Sequence, residues 1–218
     1  MTITQTQQTK ILPQFVFGGG WYTALYFTAT PDSDASFTVN FIGDNGAPLN
    51  VPALGGSSVN VTMSAGSTTL LEAPNVGPDL IRGYVSVTLP PNVTGYGVFR
   101  QTVPGRPDQE ATVPFVNASS KTMTIIWDEN GFSTGAAFVN LGSGNQVTIT
   151  VRGAGGGVID TQVVPLAPNT KTSKTFEEIF GTELAGRRGA ADFTVSSGAV
   201  AVLGLRFGSA AFTDIPAN

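Results

Sequence analysis

Apolar residues recur at every second position along many short stretches of this chain. In "SFTVNFI" (Ser36–Ile42), Phe37, Val39 and Phe41 alternate with Thr38 and Asn40, the period-two pattern of a strand with one buried face. Six other stretches of the first half read as strands: "ILPQFVF", "YTALYFT", "SVNVTM", "TTLLEA", "GYVSVTL" and "GYGVFRQTV". Turn residues separate them at the spacing of an all-β sandwich, roughly 8–12 residues. "GDNG" (Gly43–Gly46) predicts a hairpin with a type I′ turn, because Asn-Gly accepts positive φ. One helix is expected, at "TFEEIFG" (Thr175–Gly181). There Thr175 caps, Glu178 completes a capping box, and Gly181 ends the helix.

The second half repeats the pattern of the first. "WYTALYFTA" lies over "FSTGAAFVN", sharing Thr23 with Thr134 and Phe27 with Phe138. "FTVNFIGDNGAPL" lies over "VTITVRGAGGGVI", an apolar alternation followed by a glycine turn in both, and "VPALGGSSV" is a longer loop of the first copy. Arg188 follows Arg82 by 106 positions, and Arg206 follows Arg100 by the same 106 (188 − 82 and 206 − 100). The pattern predicts an all-β chain of two tandem immunoglobulin-like β-sandwich domains related by internal duplication. The expected domains are residues 11–117 and 120–218, set end to end, after an N-terminal tail over 1–10. Between them, "VPGRPDQEATVPFVNASSK" reads as a polar linker with one short strand-like piece, "ATVPF".

Composition removes whole classes of chemistry. The 218 residues include no cysteine and no histidine, so a disulfide, a thiol nucleophile, a zinc ribbon and a Ser-His-Asp triad are all excluded. A net charge of −4 gives no basic footprint for nucleic acid. The most apolar run, "FVFGGGWYTALYF", is glycine-broken and shorter than the roughly 18–20 residues of a membrane helix, so no membrane span is expected. "MTITQTQQTK" has neither a basic nor an apolar signal-peptide region, so export would require that a leader has been removed. No cofactor is expected.

Candidate site residues fall into three groups. If the last strands of each copy closed as hairpins, Arg82 would face Arg100 and Arg188 would face Arg206. Like charges that close need an anion or carbonyls between them. This suggests an anion site, for a uronic acid or a neighbouring subunit's carboxylate; the plainer reading has the guanidiniums on loop carbonyls or aromatic rings. Alternation places Tyr22 and Tyr26 on an exposed face as a candidate sugar platform, with Trp21, Thr23, Leu25 and Phe27 in the core and Trp127 at the matching place in copy two. The uncharged segment Thr2, Ile3, Thr4, Gln5, Thr6 is a flexible leader or a donor strand that adds to the sheet of another copy.

Carboxylates give weaker signals. "TPDSDAS" and "WDENG" each bring two acids into a loop, too few for a calcium site and better read as solvated turns, so no metal site is assigned. The acids lie mostly in turns rather than paired across a cleft, which speaks against glycoside hydrolysis. Asp192, alone within a strand, is expected to face solvent or to partner an arginine.

"FVFGGGWYTALYF", "GYGVFRQTVPGRPDQEA" and "VAVLGLRFGSAAFTDIP" resemble a two-domain β-sandwich module of uncharacterised secreted bacterial proteins. The resemblance implies export and an extracellular or cell-surface role, and it carries over no catalytic or binding residue. The expected function is therefore non-enzymatic: a structural or adhesive protein, a candidate self-assembling surface or filament subunit whose partners are copies of itself. The alternative is a carbohydrate-binding module for an extracellular polysaccharide.

Overall fold

A computed structural model describes residues 7–218; the candidate assembly segment Thr2–Thr6 lies outside them. Among the described residues the chain forms seventeen strands and one short α-helix. The first nine strands are β1 (Gln8–Phe17), β2 (Trp21–Ala29), β3 (Ala35–Gly43), β4 (Ser58–Met63), β5 (Thr68–Ala73), β6 (Ile81–Leu89), β7 (Val93–Gln101), β8 (Gln109–Pro114) and β9 (Val116–Asn117). The other eight are β10 (Thr122–Asp128), β11 (Ser133–Asn140), β12 (Gln146–Gly153), β13 (Val158–Pro165), β14 (Lys171–Thr175), β15 (Arg188–Thr194), β16 (Val200–Phe207) and β17 (Phe212–Ile215). The helix, α1, spans Phe176–Phe180.

The strands form four antiparallel sheets, two in each half. The first half has orders β4-β3-β6-β1-β9 and β5-β2-β7-β8; the second has β13-β12-β15-β10 and β14-β11-β16-β17. Leaving β9 aside, each strand of the first half has a counterpart nine places later with the same neighbours. This order separates β1 from β2 onto different sheets, whereas the immunoglobulin order keeps strands A and B side by side.

Alternation explains most of the layering. β3 buries Ala35, Phe37, Val39 and Phe41 and exposes the residues between them. Phe15, Phe27, Phe41 and Phe99 then join the sheets of the first half into one core, and Trp127, Phe138, Phe176 and Phe193 do the same in the second. β16 departs from alternation, since Val200 through Leu205 are all buried. A continuous apolar run is what a strand covered on both faces requires. Val200 and Val202 belong to the second core, while Leu203 and Leu205 reach the first.

The halves are thus packed across an apolar seam, not strung end to end. Ile11 and Tyr84 of the first half complete the second core, and Phe212 of the second lies 5.6 Å from Trp21, ring centre to ring centre. The Tyr84 hydroxyl donates to the Asn169 carbonyl at 3.0 Å, and Lys171 N–H donates to the Asp44 carbonyl at 2.9 Å. Gln8–Lys10, expected in the tail, are strand instead, with Gln8 opposite Leu89 of β6. Gln109–Pro114, expected in the linker, form an edge strand of the first half's second sheet.

The capping box appears in full. Thr175 Oγ1 accepts the Glu178 N–H at 3.2 Å, the Glu178 carboxylate accepts the Thr175 N–H at 2.6 Å, and Gly181 follows at φ 63°. At Gly43–Ala47 the turn is not type I′: Gly46 takes positive φ and Asn45 does not, its side chain instead accepting the Ala47 N–H.

Candidate functional site

The arginine pairs do not form as counting predicts. β6 and β7 lie in different sheets, as do β15 and β16, so "LPPNV" and "VSSGA" are crossings between layers rather than hairpin turns. Arg82 sits opposite Val16, and Arg100 opposite Tyr22 and Glu110. Arg188 sits opposite Asp128, and Arg206 opposite Thr134 and Thr213. The hairpin expectation fails because regular turn spacing is the same whether the chain returns beside itself or crosses the sandwich.

The first-half arginines meet different carboxylates. Arg82 Nε lies 3.5 Å from an Asp44 oxygen. Arg100 Nε donates to Glu110 at 3.2 Å, and its guanidinium lies 5.0 Å from the centre of the Tyr22 ring. The Tyr22 hydroxyl donates to Glu72 at 2.6 Å; burial, reinforced by that carboxylate, pushes its pKa up to about 12. Tyr26 stacks on Tyr96 at 5.2 Å and 13°, so each ring spends one face on the other. Tyr22 and Tyr26 therefore share the outer face of one sheet but do not present a free flat platform.

The second half brings two of the predicted arginines together. Buried Thr23 and Thr134 show how. Thr23 Oγ1 donates to the Val16 carbonyl at 2.6 Å and accepts the Val16 N–H at 3.3 Å. Thr134 Oγ1 makes the same two bonds to Asp128, at 3.2 and 2.9 Å. Asp128 thus occupies the place that Val16 holds in the first half. Its carboxylate lies 3.9 Å from Arg188 Nε and 3.8 Å from Arg206 Nη1, while its own turn binds it through the Asn130 N–H at 3.0 Å. Arg206 also lies over the Phe132 ring at 4.4 Å. Phe132, not Trp127, holds the position matching Trp21; Trp127 is fully buried in β10 and donates to the Ala190 carbonyl at 3.0 Å.

Asp128, Arg188 and Arg206 line a cleft of about 750 Å³, together with Ile126, Arg152, Ile215 and Pro216. Arg152 donates to Asp192 at 3.1 Å, and Asp192 also accepts the Thr124 hydroxyl at 2.7 Å, so the lone strand aspartate is an arginine partner. Sequence reasoning did not anticipate Arg152 or the role of Asp128. The signal was available in "WDENG", where an acid stands at the strand end opposite Arg188.

No group of three metal-ligating side chains occurs among the described residues. The loop acids hold turn backbone. Asp34 accepts the Ala65 N–H at 2.9 Å, and Glu129 accepts the Thr134 N–H at 2.7 Å, while burial pushes the Glu129 carboxyl up. Among the described residues no helix is long and apolar enough to cross a membrane.

No family model matches the chain, and no curated protein matches it. Among solved structures, one of infectious bursal disease virus (Gx strain) aligns with 88% of this chain and 57% of its own, at 13% identity. Its TM-score of 0.18 is too low to bear on fold or function.

Proposed function

We propose that the protein is a non-enzymatic, extracellular structural subunit that assembles by strand addition. It consists of two β-sandwich units of common origin, immunoglobulin-like in layering; their shared strand order and paired threonine clamps support internal duplication. The observation that carries assembly is β13. It is an eight-residue edge strand with no partner beyond β12 among the described residues, and its Val158 and Val163 are 55% and 51% exposed. Such an edge is a template for another chain's backbone. Its one charged residue, Asp160, accepts the Thr161 N–H at 2.7 Å and the Gln162 side-chain amide at 2.8 Å, local bonds that an added strand has to displace.

The matching donor is Thr2–Thr6 of a neighbouring copy, uncharged and rich in β-prone threonine. A head-to-tail contact of this kind propagates unless its rotation closes a ring. Light scattering and negative-stain microscopy test it on the full chain, on a chain lacking residues 1–7, and on Val163→Lys. Filaments or large oligomers that vanish in both variants are expected. Monodisperse monomers in all three samples would sink the reading.

A second reading, binding of an extracellular polysaccharide, is favoured by the guanidinium-lined cleft of the second half.

A further inference from the structure

Two guanidiniums face one carboxylate in this cleft at distances too long for hydrogen bonds. Arg188 and Arg206 stand 3.9 and 3.8 Å from Asp128, beyond the roughly 2.7–3.2 Å of an N–H···O bond, so their donors remain available. The pair carries one positive charge more than Asp128 neutralises. Arg152 is matched by Asp192 and adds no excess. Asp214 also borders the cleft, but it alternates with Thr213 and Ile215 along β17 and pairs with Leu205, whose side chain faces the other core. In the first half Val16 replaces the aspartate, so this arrangement belongs to the second half alone.

We infer that the cleft binds a uronate unit of an acidic polysaccharide. The sugar carboxylate takes the N–H donors of Arg188 and Arg206, an arrangement guanidinium forks suit. Asp128 between them accepts a neighbouring sugar hydroxyl. A glutamate side chain brings the same carboxylate but no hydroxyl to donate to Asp128. Ile126, 66% exposed, together with Ile215 and Pro216 offers an apolar wall to the C–H face of the ring. The volume, about 750 Å³, lies within the usual range of ligand pockets, about 300–1,000 Å³. The inference deepens the polysaccharide reading by naming the charged sugar, and its failure leaves strand-mediated assembly standing.

Titration calorimetry with a galacturonic acid tetramer tests it, against the methyl-esterified tetramer and poly-glutamate. The acid tetramer is expected to bind, and the ester and poly-glutamate at least about tenfold more weakly. Arg188→Gln and Arg206→Gln should each weaken the acid tetramer about tenfold, with Arg82→Gln and Arg100→Gln unchanged. All four arginine side chains are at least 40% exposed, so these variants should fold, which thermal melting checks. Equal binding of acid and ester, equal or tighter binding of poly-glutamate, unchanged affinity in the cleft variants, or no binding by the folded protein would each overturn it.

Discussion

Lys171 Nζ lies 3.2 Å from Asp44 Oδ1, joining the two halves through an ion pair whose lysine side chain is wholly buried. Neither atom makes a hydrogen bond in this geometry. Asp44 keeps a second cation, Arg82, at 3.5 Å and is itself partly exposed. Burial lowers the Lys171 pKa from 10.5 to about 8, with Asp44 opposing the shift. A lowered lysine pKa means the folded state binds fewer protons than the unfolded chain between the two values. The Lys171 contribution to stability should therefore rise from pH 8 towards pH 10.5, by an amount on the order of 3 kcal/mol. Lys171→Met should abolish that rise and be neutral or stabilising at pH 7, since Asp44 retains Arg82. Urea unfolding of both proteins across this range measures it as the difference between wild type and variant, because Tyr22, pushed up to about 12, costs both of them stability as pH passes 10. A difference that falls instead would show that the ion pair outweighs the cost of burial.

The seam makes the halves one cooperative unit. Leu203 lies in a second-half strand yet is packed in the first core, while Val202 beside it faces the second core. Leu203→Ala should cost roughly 2–5 kcal/mol. Both Leu203→Ala and Val202→Ala should lower one shared thermal transition, with equal calorimetric and van't Hoff enthalpies in each protein. Two transitions in the scan, only one of them moved by each variant, would mean that the halves unfold independently.

Strands were legible because their signal is local. The alternation in Phe37–Phe41 and the run Val200–Leu205 each fall within a few residues, as does the Thr175–Glu178 box. Which strand lies beside which was not legible. Arg82 and Arg100 are separated by a turn whose residues fit a hairpin or a crossing equally, and only the packing of the layers decides. The site suffered the same way. Arg188 and Arg206 were paired through a hairpin that does not form, and Asp128, the carboxylate they share, comes from a strand some sixty residues before Arg188 in the chain. Lys171 and Asp44 lie still further apart in sequence, and neither stands in a pattern that announces burial.

The capping box should contribute measurably to α1, which carries buried Phe176 and Phe180 into the second core. Thr175→Ala should cost about 1 kcal/mol in urea unfolding at neutral pH. The Thr175 N–H holds the Glu178 carboxyl below its ordinary value. A depressed folded pKa means the contribution of Glu178 is present above the unfolded value of 4.5 and lost as pH falls through the folded one. The difference between wild type and Glu178→Ala should then shrink between pH 7 and pH 3. A difference that holds constant over that interval would show that the carboxylate charge adds nothing to the cap.

Gly189 tests how tightly the cleft is built. It faces Gly153 across β12 and β15, and a methyl group placed on it would stand 1.8 Å from the Arg152 carbonyl oxygen. Backbone must move to admit it, and the strands that move carry Arg152 and Arg188. Gly189→Ala should therefore destabilise by roughly 1–3 kcal/mol and weaken ligand binding in the cleft together with it. Gly155, in the adjoining turn, has open space around the same position and an ordinary φ. Gly155→Ala should stay within about 0.5 kcal/mol of wild type and leave the cleft unchanged. Denaturation curves for the two variants provide the comparison: equal stabilities would mean that the β12–β15 pair gives way without strain, and that the spacing of the guanidiniums is not set by the glycine contact.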